Sequence, residues 1–180
     1  MIKKILIANR GEIAVRIIRA CKEMGITSVA IYSEADRHSL HVKKADESYF
    51  IGSDPLSGYL SPYRIVNLAV TARCDAIHPG YGFLSENPEL VEVCERRNIK
   101  FIGPHSSHIK VMGNKIDAKK IMDDNQVPTV PGLNDITDKV KIEEFIKNVE
   151  LPIIVKAASG GGGKGMRVVT RQNEIENAIN

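Results

Sequence analysis

The chain has 180 residues, 43% of them hydrophobic and 26% charged, with a formal net charge of +3 at pH 7. This composition suits a globular protein with a real core, and no apolar run approaches the ~20 residues of a membrane-spanning helix. The basic residues are scattered among acids, which gives no case for nucleic acid and leaves anionic small molecules open.

Met1 leads straight into a strand-like segment with no signal-peptide core, so a cytoplasmic chain is expected. Residues 3–8 (KKILIA) form a short apolar run ending at Asn9-Arg10-Gly11. The period then changes from strand to helix, with Ile13, Ile17, Cys21 and Met24 forming one apolar stripe and Arg16, Arg19, Lys22 and Glu23 off it. Gly25 supplies the helix stop. Residues 26–32, 47–51, 75–78 and 100–102 read as further strands, with helical patterns at 62–73 and 88–97 between them. Strands alternating with helices predict parallel βαβ units and a doubly wound, Rossmann-like α/β layer.

After Gly103-Pro104 the pattern shifts to a long polar helical stretch over 107–125, broken near Gly113. A domain boundary placed there gives domains 1–113 and 114–180. Residues 143–149 read as a helix, 152–156 (PIIVK) and 166–170 (MRVVT) as strands, and a helix begins near Asn173. So short a second domain would bury little apolar surface unaided, and it is expected to be incomplete.

Between the last two strands lies Ser159-Gly160-Gly161-Gly162-Gly163-Lys164-Gly165. Each glycine gives up roughly 0.5 to 1 kcal/mol against alanine, so the run needs a reason beyond connecting two strands. Glycines let backbone N–H groups close on phosphate oxygens, and Lys164 adds charge. A P-loop requires GxxxxGK[ST] leading into a helix, whereas here Gly165 follows the lysine and a strand comes next. Strand, glycine loop, strand describes the hinged nucleotide flap of ATP-grasp ligases, with Lys156 aimed to one side of the sheet. The plain alternative is a flexible hairpin tip with an exposed strand-end lysine.

NAD binding is disfavoured, because the first βα turn lacks GxGxxG. The segment 78–87 (HPGYGFLSEN) follows the fourth strand at the carboxyl edge, where open α/β sheets place ligands. Turn-forming needs account for Pro79, Gly80 and Gly82 but not for the His, Tyr and Glu beside them. The pairs His38/His41 and His105/His108 lack further ligands for a metal site. Cys21, Cys74 and Cys94 form no CxxC pair and read as reduced thiols.

Together, IANRGEIAVRIIRA from Ile7, AIHPGYGFLSEN from Ala76, FIGP from Phe101, MGNK from Met112 and KAASGGGGKGMRVV from Lys156 resemble biotin carboxylase along the whole chain. The resemblance implies a pre-ATP-grasp domain followed by the start of an ATP-grasp domain. It also implies an enzyme that uses MgATP to activate bicarbonate and carboxylates biotin on a carrier protein. ATP contacts carry over to Lys115, Lys156, Gly160, Gly161, Gly162, Gly163, Lys164, Gly165 and Met166. The biotin pocket carries over to Tyr81, Gly82 and Glu86, and a homodimer interface to Arg16, Arg19 and Glu23. Lys164 stands where many relatives have arginine, which keeps the charge and changes the hydrogen-bond geometry. The implied partners are a biotin carboxyl carrier and a carboxyltransferase. The Mg²⁺ ligands, the adenine hinge and the groups that hold bicarbonate are expected beyond residue 180, leaving these residues inactive alone. The other reading is a non-catalytic module that dimerises or binds nucleotide.

Overall fold

The computed structural model describes residues 1–133, 139–156 and 165–179. The chain divides into two compact units, Met1–Ile109 and Lys110–Asn180.

In the first unit, β1 (Lys4–Ile7), β2 (Thr27–Ser33), β3 (Glu47–Gly52), β4 (Ala76–His78) and β5 (Lys100–Phe101) form one sheet in the order β3-β2-β1-β4-β5. Every pairing is parallel. Alternation along β1 sends Ile5 and Ile7 to one face, where they pack with Ala14, Ile17, Ile18 and Cys21 of α1 (Gly11–Glu23). Leu6 and Ala8 point to the other face, into a larger core with Ile65, Val66 and Ala69 of α3 (Pro62–Thr71) and Leu90, Val93 and Cys94 of α4 (Pro88–Arg96). Burial on both faces explains why these strands read as continuous apolar runs. Each fully buried Ile or Leu contributes roughly 1.5–3 kcal/mol.

Met24 leaves the predicted stripe. It is the C-cap of α1 and 72% exposed, while Ala14 and Ile18 are buried. Gly25 at φ +66 turns the chain away, its N–H donating to the Lys22 carbonyl while that of Ile26 reaches the Cys21 carbonyl. This is a Schellman closure. The same pair of bonds ends α3 and α4 with Arg73 and Asn98, both at φ 54, in the glycine position. The short helix α2 (Leu40–Lys44) has no periodic signal of its own; it buries His41 completely.

In the second unit, α5 (Ser106–Gly113), which starts within the first unit, and α6 (Lys115–Asp124) meet at Asn114. Its side chain caps α6 by accepting from the N–H groups of Ile116 (3.0 Å) and Asp117 (3.4 Å), so the helix break falls there. Helix α7 spans Lys139–Asn148, starting earlier than its sequence pattern. Strands β6 (Ile153–Lys156) and β7 (Met166–Val169) pair antiparallel, with Lys156 opposite Met166. The closing α8 (Ile175–Ile179) follows a 3-10 turn at Gln172–Glu174.

Candidate functional site

The strand order makes the carboxyl ends of β1 and β4 the switch point of the sheet, since β2 and β3 extend to one side of this pair and β5 to the other. Open α/β sheets place ligands in the crevice there. A cleft of about 350 Å³ lies at this position, lined by Asn9, Arg10, Gly11, Ile13, Tyr81, Gly82 and Phe83.

Asn9 ties its two walls together. Only 4% exposed, it donates from Nδ2 to the carbonyls of Pro79 and Tyr81, each at 2.8 Å. Its Oδ1 accepts from the Arg10 N–H at 2.9 Å. Gly80 sits between the two carbonyls at φ +66, where a Cβ would lie 2.8 Å from Asn9 Nδ2. Glycine is required there both for the left-handed backbone and for the close approach. The Gly80 N–H donates to His78 Nδ1 at 3.0 Å. Burial holds the His78 pKa below the ordinary histidine value, which favours the neutral ring, and the Gly80 bond fits the tautomer with its proton on Nε2.

The guanidinium of Arg10 lies 5.7 Å from the ring centres of both Tyr59 and Phe83, with Nη1 3.2 Å from Asp36 Oδ2. The two rings stack at 5.3 Å. Tyr59 is fully buried and donates its hydroxyl to Asp36 at 2.8 Å. Burial pushes the Asp36 carboxyl up, but hydrogen bonds from Tyr59, Arg10 and Ser33 outweigh it and hold the group below the usual range. On the outer rim, Tyr81 is 60% exposed and its hydroxyl donates to the Glu12 carboxylate on the first turn of α1.

Tyr81 and Gly82, predicted as site residues, both line this cleft. Glu86 is exposed outside the cleft lining. In the sequence, Asn9, Arg10 and Glu12 belong to a turn lacking the dinucleotide fingerprint and to the motif that starts at Ile7, and neither assigns them a role in a site. Arg16, Arg19 and Glu23 are all exposed on α1. Burial pushes the Cys74 thiol up to about 11 and the Cys94 thiol up to about 12, leaving both inert at neutral pH. Among the described residues, no three His, Cys, Asp or Glu side chains gather as a metal-binding group.

Within the second unit, a groove of about 1490 Å³ brings together Lys115, Lys119, Lys156, Gly165 and Met166. Lys115 opens α6, Lys119 reaches the Gly132 carbonyl at 3.2 Å, and Lys156 ends β6. Phe145, Val155 and Ile175 add apolar lining. Lysines beside apolar surface fit a phosphorylated ligand that also carries a flat ring. Gly160, Gly161, Gly162, Gly163 and Lys164 lie outside the described residues.

An open parallel α/β sheet with a cleft at its switch point, followed by an antiparallel hairpin over a lysine-bearing groove, is the amino-terminal arrangement of an ATP-grasp ligase. Residues 1–109 match the family model "Biotin carboxylase, N-terminal domain". Residues 114–180 match "Carbamoyl-phosphate synthase L chain, ATP binding domain". The chain belongs to the biotin carboxylase family. It is 50% identical over 181 residues to biotin carboxylase 1 of Bacillus subtilis, covering 99% of this chain and 40% of that protein. The solved biotin carboxylase domain dimer of Hydrogenobacter thermophilus 2-oxoglutarate carboxylase, in complex with MgADP, ADP and bicarbonate, superposes with a TM-score of 0.89. That match has 49% identity and covers 99% of this chain and 40% of the other. The Campylobacter jejuni biotin carboxylase–β-γ-ATP complex superposes with a TM-score of 0.91 at 47% identity, with the same coverage of 99% and 40%. The chain therefore spans about 40% of the length of these relatives.

Proposed function

We propose that this chain supplies the amino-terminal part of a biotin carboxylase, which uses MgATP to activate bicarbonate and passes the carboxyl group to biotin on a carrier protein. One observation carries the reading. Both family models match in order, and Lys115, Lys156, Gly165 and Met166 meet in a single groove beside the flap hairpin. In this reading domain 1–113 carries the biotin wall and domain 114–180 the front of the ATP site. Lys115, Lys156, Met166 and the loop 160–165 contact ATP. The lysines neutralise phosphate charge as the γ-phosphoryl group moves to bicarbonate, a transfer that depends on positioning and electrostatic clamps. Tyr81 and Gly82 line the biotin pocket with Glu86 at its edge. The remaining catalytic groups, including the acids that hold Mg²⁺, belong to sequence beyond residue 180.

Arg16, Arg19 and Glu23 form a homodimer contact in the whole enzyme, and a biotin carboxyl carrier and a carboxyltransferase complete the assembly in the cytoplasm. Phosphate release from MgATP tests the reading, with and without bicarbonate and free biotin, for the 180 residues and for a protein extended at its carboxyl end. Release that requires both substrates and occurs only in the extended protein is expected. Equal activity in the short chain overturns the division of the site.

A further inference from the structure

Resting on the biotin reading of the first-unit cleft, we propose that Glu12 is a positioning residue for the biotin step and acts through Tyr81. Tyr81 gets little support from its own surroundings. Its neighbours Gly80 and Gly82 have no side chains and stand at φ +66 and +65, and 60% of Tyr81 faces solvent. Its backbone carbonyl accepts from Asn9 Nδ2, a bond that does not involve the ring. The hydroxyl-to-Glu12 bond is what closes the remaining freedom.

Glu12 is well placed to do this. Its backbone sits on the first turn of α1, a helix anchored against the sheet by Ala14, Ile17, Ile18 and Cys21, and its exposed side chain reaches the Tyr81 hydroxyl. The tether joins residues 69 apart in sequence, linking the first turn of α1 to the loop after β4. A ring held in place before the ligand arrives offers a preset flat wall in a cleft that Ile13 also lines, suited to a saturated bicyclic ring with an aliphatic arm. Ordering that ring in advance removes a cost of binding worth about three- to tenfold in affinity. The plain alternative is that Glu12 only complements the positive end of α1, an effect that does not involve Tyr81.

A double-mutant cycle in the extended protein separates the two. The KM values for free biotin and for ATP are measured in wild type, Glu12→Ala, Tyr81→Phe and the double variant. Tyr81→Phe keeps the ring and removes the donor. The expected result is that each single change raises the biotin KM about three- to tenfold, that the double change raises it no further, and that the ATP KM is unmoved. Glu12→Gln, which keeps an acceptor oxygen, restores most of the loss. A Glu12→Ala effect equally large in the Tyr81→Phe background overturns the inference, as does an unchanged biotin KM in Glu12→Ala. If Tyr81→Ala leaves the biotin KM unchanged, the biotin reading of the cleft itself fails and takes the inference with it.

Discussion

The side-chain amide of Asn9 and the bare backbone of Gly80 fill the same small space: Asn9 donates to the carbonyls on either side of Gly80, and a Cβ on Gly80 would stand 2.8 Å from that amide. Gly80→Ala must both adopt a left-handed backbone and push Asn9 aside, at a cost of about 2 kcal/mol. Asn9→Asp turns two donors into an acceptor facing two carbonyls and costs on the order of 3 kcal/mol. Urea unfolding checks both, and a loss below about 0.5 kcal/mol for either contradicts the arrangement.

Tyr59→Phe removes a buried hydroxyl from Asp36 and costs about 2 kcal/mol. The folded Asp36 pKa lies below its unfolded value of 3.8, so its contribution is full above that value and is lost as pH falls through the folded pKa. Without the Tyr59 donor the folded pKa rises toward 3.8 and the contribution shrinks. Wild type and Tyr59→Phe are therefore expected to differ in stability at neutral pH and to converge in acid.

His41 and His78 are both held below the ordinary value of 6.5, chiefly by burial. For His41 the Ile31 carbonyl and Asp36 oppose the shift without reversing it. Folding thus excludes a proton from each ring. Their contribution is full above pH 6.5 and falls away as pH drops through that value toward the folded pKa. Urea midpoints are expected to decline between about pH 7.5 and 5.5. Two histidine ring signals titrating below 6.5 in NMR would assign the effect.

Lys156→Met preserves the length of the side chain at the end of β6 and removes its charge. In the extended protein it is expected to weaken MgATP binding about tenfold with little change in the affinity for biotin. Calorimetric titration measures the first and steady-state kinetics the second. Unchanged ATP affinity would remove Lys156 from the nucleotide site.

Arg73 occupies the left-handed position that ends α3, at φ 54 and exposed to solvent. Arg73→Gly relieves backbone strain without losing buried contacts, and a gain of about 1 kcal/mol is expected. Thermal unfolding of the two chains side by side reads it directly.

The order of elements was legible from residue pattern alone because it is a local property. Runs such as residues 5–8 and 29–31 are apolar throughout since both faces of the sheet are covered, and the switch to a helical period after Gly11 marks α1. The strand–glycine loop–strand hairpin was equally plain, since Lys156 and Met166 bracket the loop and pair across it. Gly25 as the helix stop was legible too, but that Met24 leaves the apolar stripe was not, because its exposure depends on what the rest of the chain packs against the end of α1. The same holds for the cleft. Asn9 meets Tyr81 across 72 residues, Glu12 meets it across 69, and Arg10 finds Asp36 across 26. None of these pairs has a period or spacing that announces it. They exist because β1 lies between β2 and β4 in the folded sheet, and strand adjacency is set by how the whole chain buries its apolar faces.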